Sequence, residues 1–122
     1  MEYRNEKHRV VFSEAIKRLN QKDQALMAAL YLLTAEHKLW TRIRRFVERD
    51  EIQFHSFKPK DSTESGYTLL CAAKDLYLGT KRLTVSDLAD PELIPPKTFT
   101  LICNAMAIKR LGLGAIHFKE EI

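Results

Sequence analysis

Lys38, Arg42, Arg45 and Arg49 recur four, three and four residues apart, and on a helix that interval aligns four cations along one face. Such a face can follow a row of phosphates or an acidic partner surface. His37 and Trp40 lie beside it and could add stacking. The competing use of the same residues is a solvated helix face. Glu48 stands four residues after Arg44 and three after Arg45, with Asp50 and Glu51 close behind, so some of the positive charge has a partner at helical spacing.

The other side chains that could do chemistry are dispersed. His8, His37, His55 and His117 form no His-x-x-x-His pair. Cys71 and Cys103 each sit in an apolar helical run with no second Cys or His at ligand spacing, which suggests neither a zinc site nor a disulfide framework. Ser62, Ser65 and Ser86 occupy loop and cap positions, and no Gly-rich phosphate loop is present. No catalytic residue, metal or cofactor is implied.

One stretch raises a more specific possibility. TVSDLADPELIPPKTF, residues 84–99, resembles in spacing the corner of a helix-turn-helix, whose second helix lies in the DNA major groove. Leu88 and Ala89 fall where the first helix keeps an apolar and a small residue, Ile94 falls just after the turn, and Phe99 and Ile102 fall on the inward side of the second helix. The departures are as specific: Leu93 replaces the usual turn glycine, and Pro91 sits inside the corner. Residues 84–111 carry Lys97, Lys109 and Arg110 against Asp87, Asp90 and Glu92, a net charge of zero, whereas DNA affinity typically rests on about six to ten phosphate contacts. Leu101, Cys103, Ala105 and Met106 also stand where polar readers of base edges are expected. With Lys97 beside the corner, any phosphate contact must come mainly from Lys38, Arg42, Arg45 and Arg49.

These residues need elements to hold them. Phe12, Ala15, Ile16 and Leu19 mark an amphipathic helix over 3–20. Asp23 is positioned to cap the run ALMAALYLLTA, which has no wet face and so predicts a buried central helix. Thr34 then permits either one long helix through residue 50 or two. IQFHSF predicts a short extended piece, KPKDSTES a polar loop, and Ser65 a helix start. Leu69, Ala72, Ala73, Leu76 and Tyr77 give the next helix its inner face, and Gly79 suits the left-handed turn after it. Thr84 with Asp87 approximates a capping box, and Pro95 and Pro96 open a last helix that ends at Gly112. The tail GAIHFKEE could pair with IQFHSF as a small ribbon.

Composition frames the whole. At 122 residues, with 45% hydrophobic residues and only 4 Gly and 4 Pro, the chain suits one ordered domain able to bury a core without disulfides. The net charge of +4 is uneven: residues 1–60 hold 13 Lys and Arg against 8 Asp and Glu, and residues 61–122 hold 7 against 8. The anion-seeking character therefore belongs to the first half. MEYRNEKHRVVF lacks an apolar signal core, and no apolar run approaches the roughly eighteen residues of a membrane span, so a cytoplasmic location and no membrane partner are expected.

The segments KLWTRIRRFVERDEI, GYTLLCAAKDLYLGT, TVSDLADPEL and LICNAMAIKRLGLG together resemble a family of small uncharacterised bacterial proteins, a domain of unknown function. The resemblance implies a bacterial cytoplasmic protein and supplies no activity or site residue. The expectation is a mainly α, single-domain helical bundle over residues 1–122, with a helix-turn-helix-like corner and a minor two-stranded β ribbon. Its expected role is a non-enzymatic protein-interaction or oligomeric accessory module, the partner being itself or another protein, with nucleic-acid binding as the alternative.

Overall fold

The computed structural model describes residues 3–60 and 62–114 of the chain. The helix α1 spans Glu6–Lys17. Asn5 caps it, its side chain accepting the N–H of His8 at 2.8 Å, which satisfies one of the orphan donors of the first turn. Phe12, Ala15 and Ile16 are buried as their spacing predicts, and His8 joins them one turn earlier.

The central helix α2, Gln24–Leu33, is capped by Asp23 through a 3.0 Å bond from Leu26 N–H. Every residue from Leu26 to Leu33 is buried, as a helix without a polar face requires. Thr34 ends α2, its hydroxyl donating back to the Leu30 carbonyl at 2.7 Å. Two helices, not one, therefore occupy residues 23–50, since α3 begins afresh at His37–Ile43.

Beyond Ile43 the chain tightens into a 3-10 turn, Arg44–Phe46, and then a minimal hairpin of β1, Val47–Glu48, and β2, Glu51–Ile52. Val47 pairs with Ile52 and Glu48 with Glu51. Arg49 and Asp50 make the connection with φ of 54° and 62°, the two positive values that a type I′ turn demands. This is the two-stranded ribbon of the fold. It is built locally, and the expected partner tail, 114–121, lies outside the described residues from 115 onward. Most of IQFHSF is not extended: a second 3-10 turn covers Phe54–Ser56, with Phe54 and Phe57 buried on either side of the exposed His55 and Ser56.

Helix α4 spans Glu64–Leu78, and its cap lies two residues before the expected one. Thr63 takes that role, accepting Gly66 N–H at 2.9 Å, and leaves Ser65 in the first turn. Gly79 ends the helix at φ 79°, a conformation glycine adopts without a Cβ penalty. The one-turn helix α5, Val85–Leu88, carries the full reciprocal capping box of Thr84 and Asp87. Helix α6, Pro96–Leu111, opens on Pro95 and Pro96 and closes at Gly112.

The fold is mainly helical. Helices α4 and α6 pack on α2 and on each other, and α1 and α3 rest on other sides of α2. A single cluster of buried residues runs from Phe12 to Ile108. Among the described residues no helix is long and apolar enough to cross a membrane.

Candidate functional site

The four cations expected on one helical face do not share one. Lys38 and Arg42 lie on α3, Arg45 is in the 3-10 turn, and Arg49 is at the hairpin turn. The helix on which the stripe depends ends at Ile43, because Ile43, Ile52 and Phe57 are all buried and the chain must fold back to bring them into one core. The charge pairing expected of a solvated face fails for the same reason. Glu48 is on a strand, no longer one helical turn from Arg44. The Asp50 carboxylate instead accepts the backbone N–H groups of Asn20 at 2.9 Å and Gln21 at 3.0 Å. The ion pair found among the described residues joins Arg9 and Glu6 on α1.

Two of the four are regrouped with residues that no local spacing connects to them. A cavity of about 590 Å³ is lined by Thr41, Arg42, Arg45, Phe46, Ser56, Phe57, Lys58 and Lys60. The Arg42 guanidinium donates to the Lys60 carbonyl, tying the end of α3 to the 57–60 loop. Arg45 lies over the Phe46 ring, 5.3 Å from its centroid, a cation–π arrangement. Phe46 in turn meets Phe57 edge to face at 5.7 Å. Phe57 is buried and holds the loop against α3, which carries Lys58 and Lys60 into place. Their one signal in the sequence is Lys-Pro-Lys, read as polar loop. Lys97, exposed in the first turn of α6, is not among the lining residues.

A second concavity separates α1 from α3. Cavities of about 200 and 440 Å³ adjoin there, sharing Lys7, Val11, His37 and Trp40. Its walls alternate in sign, with Lys7, Arg18, Arg44 and Arg49 against Glu14, Glu48 and Asp50, so it favours no single class of charged ligand.

At the helix-turn-helix-like corner the inward face of α6 is made by Thr98, Leu101, Ile102, Asn104, Ala105 and Ile108. Ile94 is buried as expected. Phe99 is not inward: it is 39% exposed, because the packing of α6 on α2 and α4 turns Thr98 rather than Phe99 toward the core. Ala89 is exposed, and α5 is a single turn. The helix that would enter a groove thus has one side committed to the core, and the helix that would brace it is shorter than the spacing suggests.

His8 is 2% exposed. Its Nδ1 accepts Arg4 N–H at 2.9 Å, which leaves the proton on Nε2 to meet the Tyr31 carbonyl at 2.8 Å. Burial holds the imidazole at a pKa of about 4, helped by the Arg4 charge and opposed by the Tyr31 carbonyl. Both nitrogens are occupied in structural bonds. Among the described residues no group of three or more His, Cys, Asp or Glu could hold a metal ion.

No family model, curated protein or solved structure matches this chain.

Proposed function

We propose that the protein is a non-enzymatic interaction module that pairs with a second copy of itself through the outer face of α6. The observation that carries this reading is a gap in charge. From residue 98 to residue 108, three turns of helix, there is no Asp, Glu, Lys or Arg on any face. A surface helix normally places charged side chains opposite its buried stripe, and one that is apolar all round is normally covered on both sides. Here Phe99 and Met106 are each 39% exposed, with the half-buried Cys103 between them at i+4 and i+7. Leu93 before the helix and Leu111 at its end are exposed as well. A face with no charge to select an oppositely charged partner is suited to an isologous two-fold contact, where each stripe meets its own copy.

We assign the module to the cytoplasm, a reducing compartment that suits a buried cysteine such as Cys71. Sedimentation velocity tests the pairing. The unmodified chain should show a concentration-dependent dimer, and Phe99→Glu with Met106→Glu should sediment as a monomer with unchanged far-UV circular dichroism. A strictly monomeric unmodified chain overturns the reading.

A further inference from the structure

The geometry points to the cavity between α3 and the 57–60 loop as a binding site for the phosphodiester chain of a single-stranded nucleic acid. This assignment is independent of pairing through α6.

Arg42, Arg45, Lys58 and Lys60 converge there, with no carboxylate among the described lining residues. None of the four makes an ion pair among the described residues. Four cations gathered with no carboxylate among the described lining residues of that cavity, Glu36 lying in the adjoining one beside Arg42, repel one another and raise the local potential, an arrangement that an anion relieves. Two of the four side chains, Arg42 and Arg45, are also held in place, and the backbone that carries the two lysines is fixed. Arg42 is tethered to the Lys60 carbonyl. Lys60 N–H donates to the Lys58 carbonyl at 2.9 Å, closing a three-residue turn around Pro59, whose ring fixes φ. Phe57 anchors the loop below. Pre-organised side chains lose less freedom when a ligand arrives.

The kind of anion follows from what the site contains. A site for a lone phosphate is typically built from converging backbone N–H groups or a helix N-terminus. This one offers side-chain cations from two separate segments, 42–45 and 58–60, around about 590 Å³, which suits a row of phosphates. Arg45 stacked over the half-buried Phe46 adds a flat, cationic platform against which a base can lie. Duplex DNA is the poorer fit. The major groove is read by a projecting helix, whereas α3 is seven residues long and α6 packs its inner face on α2 and α4.

The test is fluorescence anisotropy with the full chain and labelled mixed-sequence single-stranded RNA, the same sequence as duplex DNA, and inorganic phosphate as competitor, over a range of salt. Four neutralised phosphates predict a log–log salt slope of about −3 for a single strand. Arg45→Ala with Lys58→Ala, both at exposed positions, should lower affinity at least tenfold and roughly halve that slope. Lys97→Ala should change neither. Arg42→Lys, which keeps the charge, should lose less affinity than Arg42→Ala. Absence of binding at low salt overturns the assignment. So does binding that the Arg45 and Lys58 changes leave intact, duplex bound more tightly than the single strand, or phosphate that competes better than chloride at equal ionic strength.

Discussion

The imidazole of His8 donates to the backbone carbonyl of Tyr31 across 2.8 Å. That carbonyl belongs to the last turn of α2, where helix oxygens run out of intrahelical partners. The bond therefore joins two helix ends, with Arg4 reaching the Ala35 carbonyl at 3.1 Å beside it. Protonating His8 would place a hydrogen on Nδ1, facing Arg4 N–H. The folded pKa of about 4 lies below the ordinary 6.5, so the unfolded chain binds the proton first. Stability is complete above pH 6.5 and falls as pH drops toward 4.

The full shift corresponds to about 3 kcal/mol, of which about 2 should be lost between pH 7 and pH 5, above the range where most carboxylates titrate. Urea denaturation at the two pH values measures it. His8→Gln can keep a donor toward Tyr31 but cannot titrate, so its stability should change little between them. Equal pH dependence in the two proteins would assign the effect to other groups.

The hairpin turn carries strain that Asp50 offsets. Arg49 and Asp50 both take positive φ, which costs an L-residue roughly 1 kcal/mol. The Asp50 carboxylate receives the N–H groups of Asn20 and Gln21 and so fastens the hairpin to the segment after α1. Asp50→Ala should cost about 2 kcal/mol by loss of two charge-assisted bonds at the surface. Arg49→Gly makes no such loss and should stabilise the protein by about 0.5–1 kcal/mol. Opposite shifts in thermal midpoint from adjacent residues are the expected signature.

Where caps and breakers are local, the sequence is legible. Asp23, Gly79, the Thr84 and Asp87 box and the Pro95–Pro96 pair act within one turn of the backbone they control. The end of α3 is not of that kind. Leu39, Ile43, Phe46 and Val47 fit a continuous helical stripe as well as they fit a turn and hairpin, and Arg-Asp lacks the Asn-Gly signal of a type I′ turn. What decides is the burial of Ile52 and Phe57, a tertiary demand. The cation stripe dissolves with that helix, and Lys58 and Lys60 reach Arg42 through a loop whose path depends on Phe57. Phe99 is displaced for a similar reason. A helix uncharged from residue 98 to residue 108 has several faces it can bury, and only the position of α2 selects one.

Asp75 organises the link from α4 to α5. Its carboxylate accepts the Thr80 hydroxyl at 2.6 Å, Arg82 N–H at 2.8 Å and Leu83 N–H at 2.9 Å. The loop it gathers holds Lys81 and Arg82, two trypsin sites. Asp75→Ala should lower the cost of local opening by about 2 kcal/mol, given two charge-assisted backbone bonds and a hydroxyl bond near the surface. Cleavage through the opened loop then rises roughly thirtyfold in limited trypsinolysis. Unchanged cleavage at Lys81 and Arg82 would mean that packing of the half-buried Leu83 and Leu88, not the carboxylate, closes the loop.

A long-range polar contact in the core joins α2 to α6: Asn104 Nδ2 donates to the Tyr31 hydroxyl at 3.0 Å. Both residues are buried, and a buried bond between side chains distant in sequence fixes how two helices seat on one another. Tyr31 also meets Phe12 edge to face at 5.6 Å and His8 at 4.8 Å, so one side chain couples α1, α2 and α6. Tyr31→Phe keeps the ring packing and removes the hydroxyl, which should cost about 1–2 kcal/mol. Asn104→Ala should cost a similar amount or more, because it also opens a small cavity against α2. The decisive quantity is the coupling in the double variant. If the two groups act through their mutual bond, the combined loss falls short of the sum by about 1 kcal/mol. Additive losses would show that the two polar groups are satisfied independently, and that the bond between them does not set how α6 seats on α2.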